Sequence, residues 1–177
     1  MSDNRLIDDI NQTLREAQAQ ALEMLNHKLI TTNWTVGKLI FDSERNEPYC
    51  LKKISQLAES LRAAYGLKIA DEQLLLNRKF YTTYPIFKKI SLQLSWAHYI
   101  ALMELEDELA RAFYQRQTEK GKWDSHLLRI NMDSDLFEKF KKTEHKNDIF
   151  IQDTKPLQAT KQDTFIVDEH LRNFLNI

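Results

Sequence analysis

LQLSWAHYIALMELEDELARAFYQRQTEKG, residues 92–121, decides the fold. Trp96, Tyr99, Ile100 and Met103 recur at i, i+3, i+4 and i+7, the spacing of one helical face, and Leu102 and Leu105 widen the stripe. Ser95 is placed to cap that helix. Asp107 is placed to cap a second one carrying Leu109, Ala110, Phe113 and Tyr114, and Gly121 is its expected left-handed stop. Two amphipathic helices in succession need further helices to cover them. Burial of Trp96 and Phe113 supplies about 2–3 kcal/mol each, so the stretch reads first as core.

Working outward, Trp123 packs where Gly121 releases the chain. Asp124 or Ser125 then opens a helix through Leu127, Leu128, Ile130, Met132, Leu136, Phe137 and Phe140. From Lys141 the sequence turns polar, contains Pro156 and loses its period. It reads as a linker, with Ile149–Ile151 a short extended contact, followed by a short terminal helix bearing Leu171, Phe174 and Leu175. The expected organisation is one helical domain over 1–140 and a linker with terminal helix over 141–177.

Upstream, a helix is expected from about Asp3 to Ser43. Ile7, Ile10, Leu14, Ala17, Ala21 and Met24 alternate steps of three and four, a heptad seam that Lys28 and Thr31 interrupt. Its small residues admit a close partner, either an antiparallel neighbour within the chain, the preferred reading, or a second copy. A further helix over Cys50–Tyr65 presents Ile54, Leu57, Ala58, Leu61 and Ala64 and ends at Gly66. Another runs from Asp71 until Pro85 stops it. The fold class is thus all-α: a helical bundle with a long N-terminal helix, a helix-turn-helix-like unit across Gly66 and an irregular C-terminal tail.

The formal net charge of -1 conceals a segregation. Residues 48–90 hold eight basic side chains against three acidic ones, whereas 1–47 and 91–135 each hold five against eight. A basic middle that coincides with a helix-turn-helix outline points to double-stranded DNA. Lys68, Gln73, Asn77, Arg78 and Lys79 are the candidate contacts, and Lys52 and Lys53 hold the backbone. Asp71 and Glu72 suit the macrodipole of their helix but repel phosphate at its entry.

Catalysis in isolation finds little support. Cys50 is the only cysteine, the five histidines have no zinc-ligand spacing, and no glycine-rich phosphate loop or nucleophile elbow occurs. Ser95-x-x-His98 reads as helix-start chemistry rather than as a catalytic pair. No cofactor, metal or catalytic residue is therefore expected. With no apolar run of about 18 residues and no secretory start in MSDNRLIDD, a cytoplasmic location is expected.

The motifs Leu94-Ser95-Trp96-x-His98, Arg111-x-Phe113-Tyr114 and the following Trp123 resemble the N-terminal domain of the YhcG family. Arg78-Lys79-Phe80-Tyr81 and NWTVGKLI, residues 33–40, are similar to its upstream motifs. The resemblance covers roughly residues 10–140. It implies a helical, helix-turn-helix-like DNA-binding module of the kind that precedes a PD-(D/E)xK nuclease domain. RNFLNI is similar to the family's hinge before that domain, and no acidic pair followed by E-x-K on strand-like hydrophobic flanks is found here. The resemblance thus implies a targeting module without its nuclease, or an assembly module that joins a separately encoded nuclease subunit or a second copy of itself. Ala70, Asp71 and Glu72 stand where the family usually opens a helix with serine and basic residues.

Overall fold

The computed structural model describes residues 2–44, 51–66 and 69–142, and within them the chain is all-α. Seven helices follow in order: α1 Ser2–Ser43, α2 Leu51–Tyr65, α3 Asp71–Thr83, α4 Trp96–Leu102, α5 Glu108–Gly121, α6 Ser125–Asp133 and α7 Leu136–Lys142. A 3-10 turn at Phe87–Lys89 lies between α3 and α4. The sequence beyond Lys142, with the expected linker and terminal helix, lies outside the described residues.

At about 1.5 Å per residue, the 42 residues of α1 span about 63 Å, far more than the body needs. Only its second half is packed. Leu29, Ile30, Asn33 and Ile40 are buried there, with Leu22, Leu25, Trp34 and Val36 partly so. Against this half lies α3, at a distance set by Gly37. A Cβ on Gly37 would stand 1.9 Å from the Asn77 carbonyl oxygen, so only glycine admits this approach of two backbones.

Phe80, Tyr84, Trp96 and Tyr99 form the aromatic centre, with ring centroids 4.9–5.6 Å apart. The loop joining α3 to α4 is fastened over it. Trp34 Nε1 donates to the Tyr84 carbonyl, Asn26 Nδ2 donates to the Leu94 carbonyl, and the Tyr99 hydroxyl both accepts from Ser91 N–H and donates to its carbonyl. A smaller apolar cluster of Ile40, Ile54, Ala58 and Leu74 seats α2 on α1 and α3.

Local chemistry sets the helix ends. Asp107 and Asp124 accept from Leu109 N–H and Leu127 N–H, the expected N-caps. Ser95 opens α4 in a capping box whose reciprocal acceptor is the ring of His98, and Nε2 of that ring bonds the Trp123 carbonyl at 2.9 Å. His98 is therefore a structural residue that ties α4 to the α5–α6 turn.

Two boundaries differ from expectation. Gly121 is the last residue of α5, and the left-handed position falls on Lys122 at φ 49. Gly121 instead lies under the Trp123 indole, 2.4 Å from where its Cβ would be. The single helix expected over 124–140 is two, broken where Asp135 takes φ 54. The buried Tyr114 hydroxyl occupies the break, accepting from Phe137 N–H at 3.1 Å and donating to the Asn131 carbonyl at 3.3 Å.

Candidate functional site

The basic middle segment is built from α2, its turn and α3. Gly66 at φ 64 ends α2 as expected. Arg62 then holds the turn by donating to the Ile69 carbonyl at 2.6 Å and pairing with Asp71 at 3.5 Å, while Ser55 donates to the same carboxylate. The acidic start of α3 is thus partly neutralised by α2. Arg62 is a turn clamp, a role that counting it as one more positive charge concealed.

The candidate DNA contacts separate into two groups. Lys52 and Lys53 in the first turn of α2, and Lys79 on α3, are exposed. The other described members turn to α1 or to one another. Asn77 is 4% exposed, beneath Gly37, and its side-chain oxygen accepts from Gln73 Nε2 at 2.8 Å. Arg78 reaches across to the C-terminal end of α1, where its guanidinium engages both carboxylate oxygens of Glu44, the residue after the helix, with Nη2 at 2.8 Å. In this fold Asn77 is a packing residue and Arg78 a bridge between helices. Lys68 lies outside the described residues. The α3 face that meets solvent carries Glu72, Lys79 and Thr82, a mixed rather than a basic surface.

Beside it, a groove of about 700 Å³ runs between the α3–α4 connection and α5. Arg111 lines it, donating to the Leu105 carbonyl and standing 5.7 Å from the centre of the Tyr84 ring. Among the described residues the buried Tyr84 hydroxyl has no hydrogen-bond partner, and burial pushes its pKa well above the usual tyrosine range. Glu108 and Lys89 face each other across one wall at 3.9 Å, which leaves Arg111 as the remaining charge of the lining.

A second surface is larger. Every residue of α1 from Asn4 to Ala21 is exposed, a projecting arm of about 27 Å that no described element touches. Ile7, Ile10, Leu14 and Met24 are 55%, 50%, 56% and 63% exposed along it. The antiparallel neighbour preferred from the sequence is not present among the described residues, and the seam stands open. Where α1 meets the body, Met24 lies about 140–160° around the helix from the packed residues Leu22, Asn26 and Leu29, while Leu25, which packs on the body, falls at the edge of the seam, so the seam and the core face are adjoining stripes of one helix.

Among the described residues, no group of three His, Cys, Asp or Glu could hold a metal ion, and no helix is long and apolar enough to cross a membrane. Compared with known proteins, the chain matches the family model of the DUF1016 N-terminal domain over residues 9–139, and no nuclease domain is detected in it. No curated protein and no solved structure gives a match. The matched span takes in most of the arm, nearly the whole helical body and the three motif groups around Trp96, Phe113 and Trp123, and on that ground the chain belongs to the DUF1016 N-terminal domain family, the N-terminal domain of the YhcG type.

Proposed function

We propose that the chain is a non-catalytic assembly module of a YhcG-type nuclease system, and that the arm of α1 is the surface on which it docks another polypeptide. The observation that carries this reading is the open seam. Ile7, Ile10 and Leu14 keep half or more of their surface in water on a stretch that packs against nothing described. An isolated helix of that length is marginal in water, and a contiguous apolar stripe gains most by being covered. Helix-on-helix docking along i, i+3, i+7 anchors is the corresponding recognition mode. The Ile10→Glu/Leu14→Glu variant tests it. Both positions are exposed, so the body should keep its melting temperature while sedimentation velocity at micromolar concentration loses the associated species. Sedimentation identical to that of the unaltered chain refutes the reading.

A second reading, contact with double-stranded DNA, is favoured by the exposed Lys52, Lys53 and Lys79 within the basic segment. With Asn77 buried and Arg78 engaged by Glu44, this contact is to phosphate and independent of sequence. Fluorescence anisotropy of a labelled random duplex against salt tests it. Lys52→Glu with Lys79→Glu should flatten the log-log salt dependence by about 0.9 for each phosphate no longer neutralised. An unchanged slope removes this surface.

A further inference from the structure

Six seam positions on the arm form a sequence that is complementary to itself when reversed. Ile7, Ile10, Leu14, Ala17, Ala21 and Met24 are large, large, large, small, small, large. If a second arm is laid antiparallel with its two-fold axis between Arg15 and Glu16, Leu14 faces Ala17 of the second copy, Ile10 faces its Ala21, and Ile7 faces its Met24. Each alanine then receives a bulky side chain, and the two helices keep a nearly even separation along the central four layers, as close packing requires. A parallel pair does the opposite. It sets Ala17 against Ala17 and Ala21 against Ala21, two thin layers in succession between thick ones.

The charges agree with this pairing. Arg5, Asp8, Asp9, Arg15, Glu16 and Glu23 all fall away from the seam and from the positions that flank it. The flanking positions hold Leu6, Asn11, Thr13, Gln18, Gln20 and Leu25. Two arms therefore meet without like-charge repulsion, and the charged flanks that select an unlike partner in helix pairs are missing. At the body end of the seam Met24 is exposed, and Leu25, which packs on the body, falls beside Leu6 of the second copy, so the tip of the second arm ends at the edge of the body.

We infer that the partner of the arm is a second copy of this chain, held in an antiparallel, two-fold symmetric pair of arms in which Ile10 packs on Ala21 and Leu14 on Ala17 across the axis. This rests on the assembly reading above and names its occupant. The two bodies then project from opposite ends of a short helical rod, each presenting the same face.

Disulfide trapping tests the register. Ile10→Cys and Ala21→Cys are made separately, each in a Cys50→Ser background so that the introduced thiol is the only one. The two proteins are mixed, left to exchange, mildly oxidised and mapped by mass spectrometry. The antiparallel pair brings positions 10 and 21 into one layer and holds the two copies of position 10 about 16 Å apart along the axis. The mixed 10–21 bridge should therefore exceed the 10–10 and 21–21 bridges by about tenfold, since a disulfide forms only at short Cα separations. Predominant 10–10 and 21–21 bridges overturn the antiparallel register and leave the docking role of the arm standing. A monomer with no bridge in the mixture overturns the second copy as occupant, including the case in which the chain's own residues 166–177 cover the seam. The Ile10→Glu/Leu14→Glu variant separates these outcomes from failure of the docking role itself: if the unaltered chain associates and the variant associates equally, the contact lies elsewhere than on the arm.

Discussion

Adding one methyl group to Gly37 should pull apart the interface on which the body is built. The Cβ of an alanine there would lie 1.9 Å from the Asn77 carbonyl oxygen, 2.6 Å from its carbonyl carbon and 3.0 Å from Tyr81 Cβ. The first two are backbone atoms of α3, which cannot swing aside as a side chain tip would. Relief to an ordinary contact needs a displacement of about 1.5 Å between α1 and α3. The contacts that depend on that spacing are the rings of Trp34 and Phe41 on Tyr81, with centroids 5.2 and 5.3 Å apart, and the Arg78–Glu44 pair. Overpacking costs about 1–3 kcal/mol, and backbone against backbone belongs at the upper end. Alanine returns about 1 kcal/mol of helix propensity in the opposite direction. The net loss is about 2 kcal/mol. For a urea slope of about 2 kcal/mol/M, the unfolding midpoint of Gly37→Ala followed by circular dichroism should fall by about 1 M. Thr35→Ala, two residues away on the exposed side of the same helix, should stay within about 0.5 kcal/mol of the unaltered chain. A midpoint for Gly37→Ala at or above that of the unaltered chain refutes the close-approach reasoning.

Two further outcomes are expected. Burial raises the pKa values of Tyr84 and Tyr99 above the unfolded tyrosine value of about 10. The un-ionised phenols therefore contribute stability that is complete below about pH 10 and is lost as the pH rises beyond it, where the unfolded chain ionises first. Melting temperatures recorded between neutral pH and pH 11 should fall on the alkaline limb, and Tyr84→Phe should make that limb shallower. Because the Tyr84 hydroxyl is buried without a partner among the described residues, the same variant should lose nothing at neutral pH and gain up to about 1 kcal/mol. Of the neighbours Arg78 and Lys79, only the first should matter to folding. Arg78→Ala abandons the largely buried Glu44 carboxylate and should cost about 1–3 kcal/mol by urea unfolding, whereas Lys79→Ala should change stability by less than about 0.5 kcal/mol.

The helical class, the caps at Ser95, Asp107 and Asp124, and the burial of Trp96 and Tyr99 could be read from the sequence because each rests on local spacing or local chemistry. The role of Asn77 could not. Apolar residues on α3 stand at Leu74, Leu75, Leu76, Phe80, Tyr81 and Tyr84, which reach most of the way round a helix and leave its exposed face undecided. Only the position of α1 decides it. Gly37 lies inside a continuous helix and fixes the side of α3 that is hidden from solvent. The break at Asp135 was hidden for a similar reason, since it is held by the hydroxyl of Tyr114 from another helix. The seam itself was plain in the sequence, but its lack of a cover within the described chain depended on the arrangement of the remaining helices.

Since α1 passes from core to arm without interruption, its length is also an angle. Each residue inserted after Ala21 would turn the seam by about 100° relative to α3 and lengthen the arm by about 1.5 Å. An insertion of seven residues restores the facing to within about 20° while moving the body about 10 Å further from the tip, whereas an insertion of two reverses it. The helix therefore transmits torsional phase, and whatever grips the arm also dictates the direction in which the body faces.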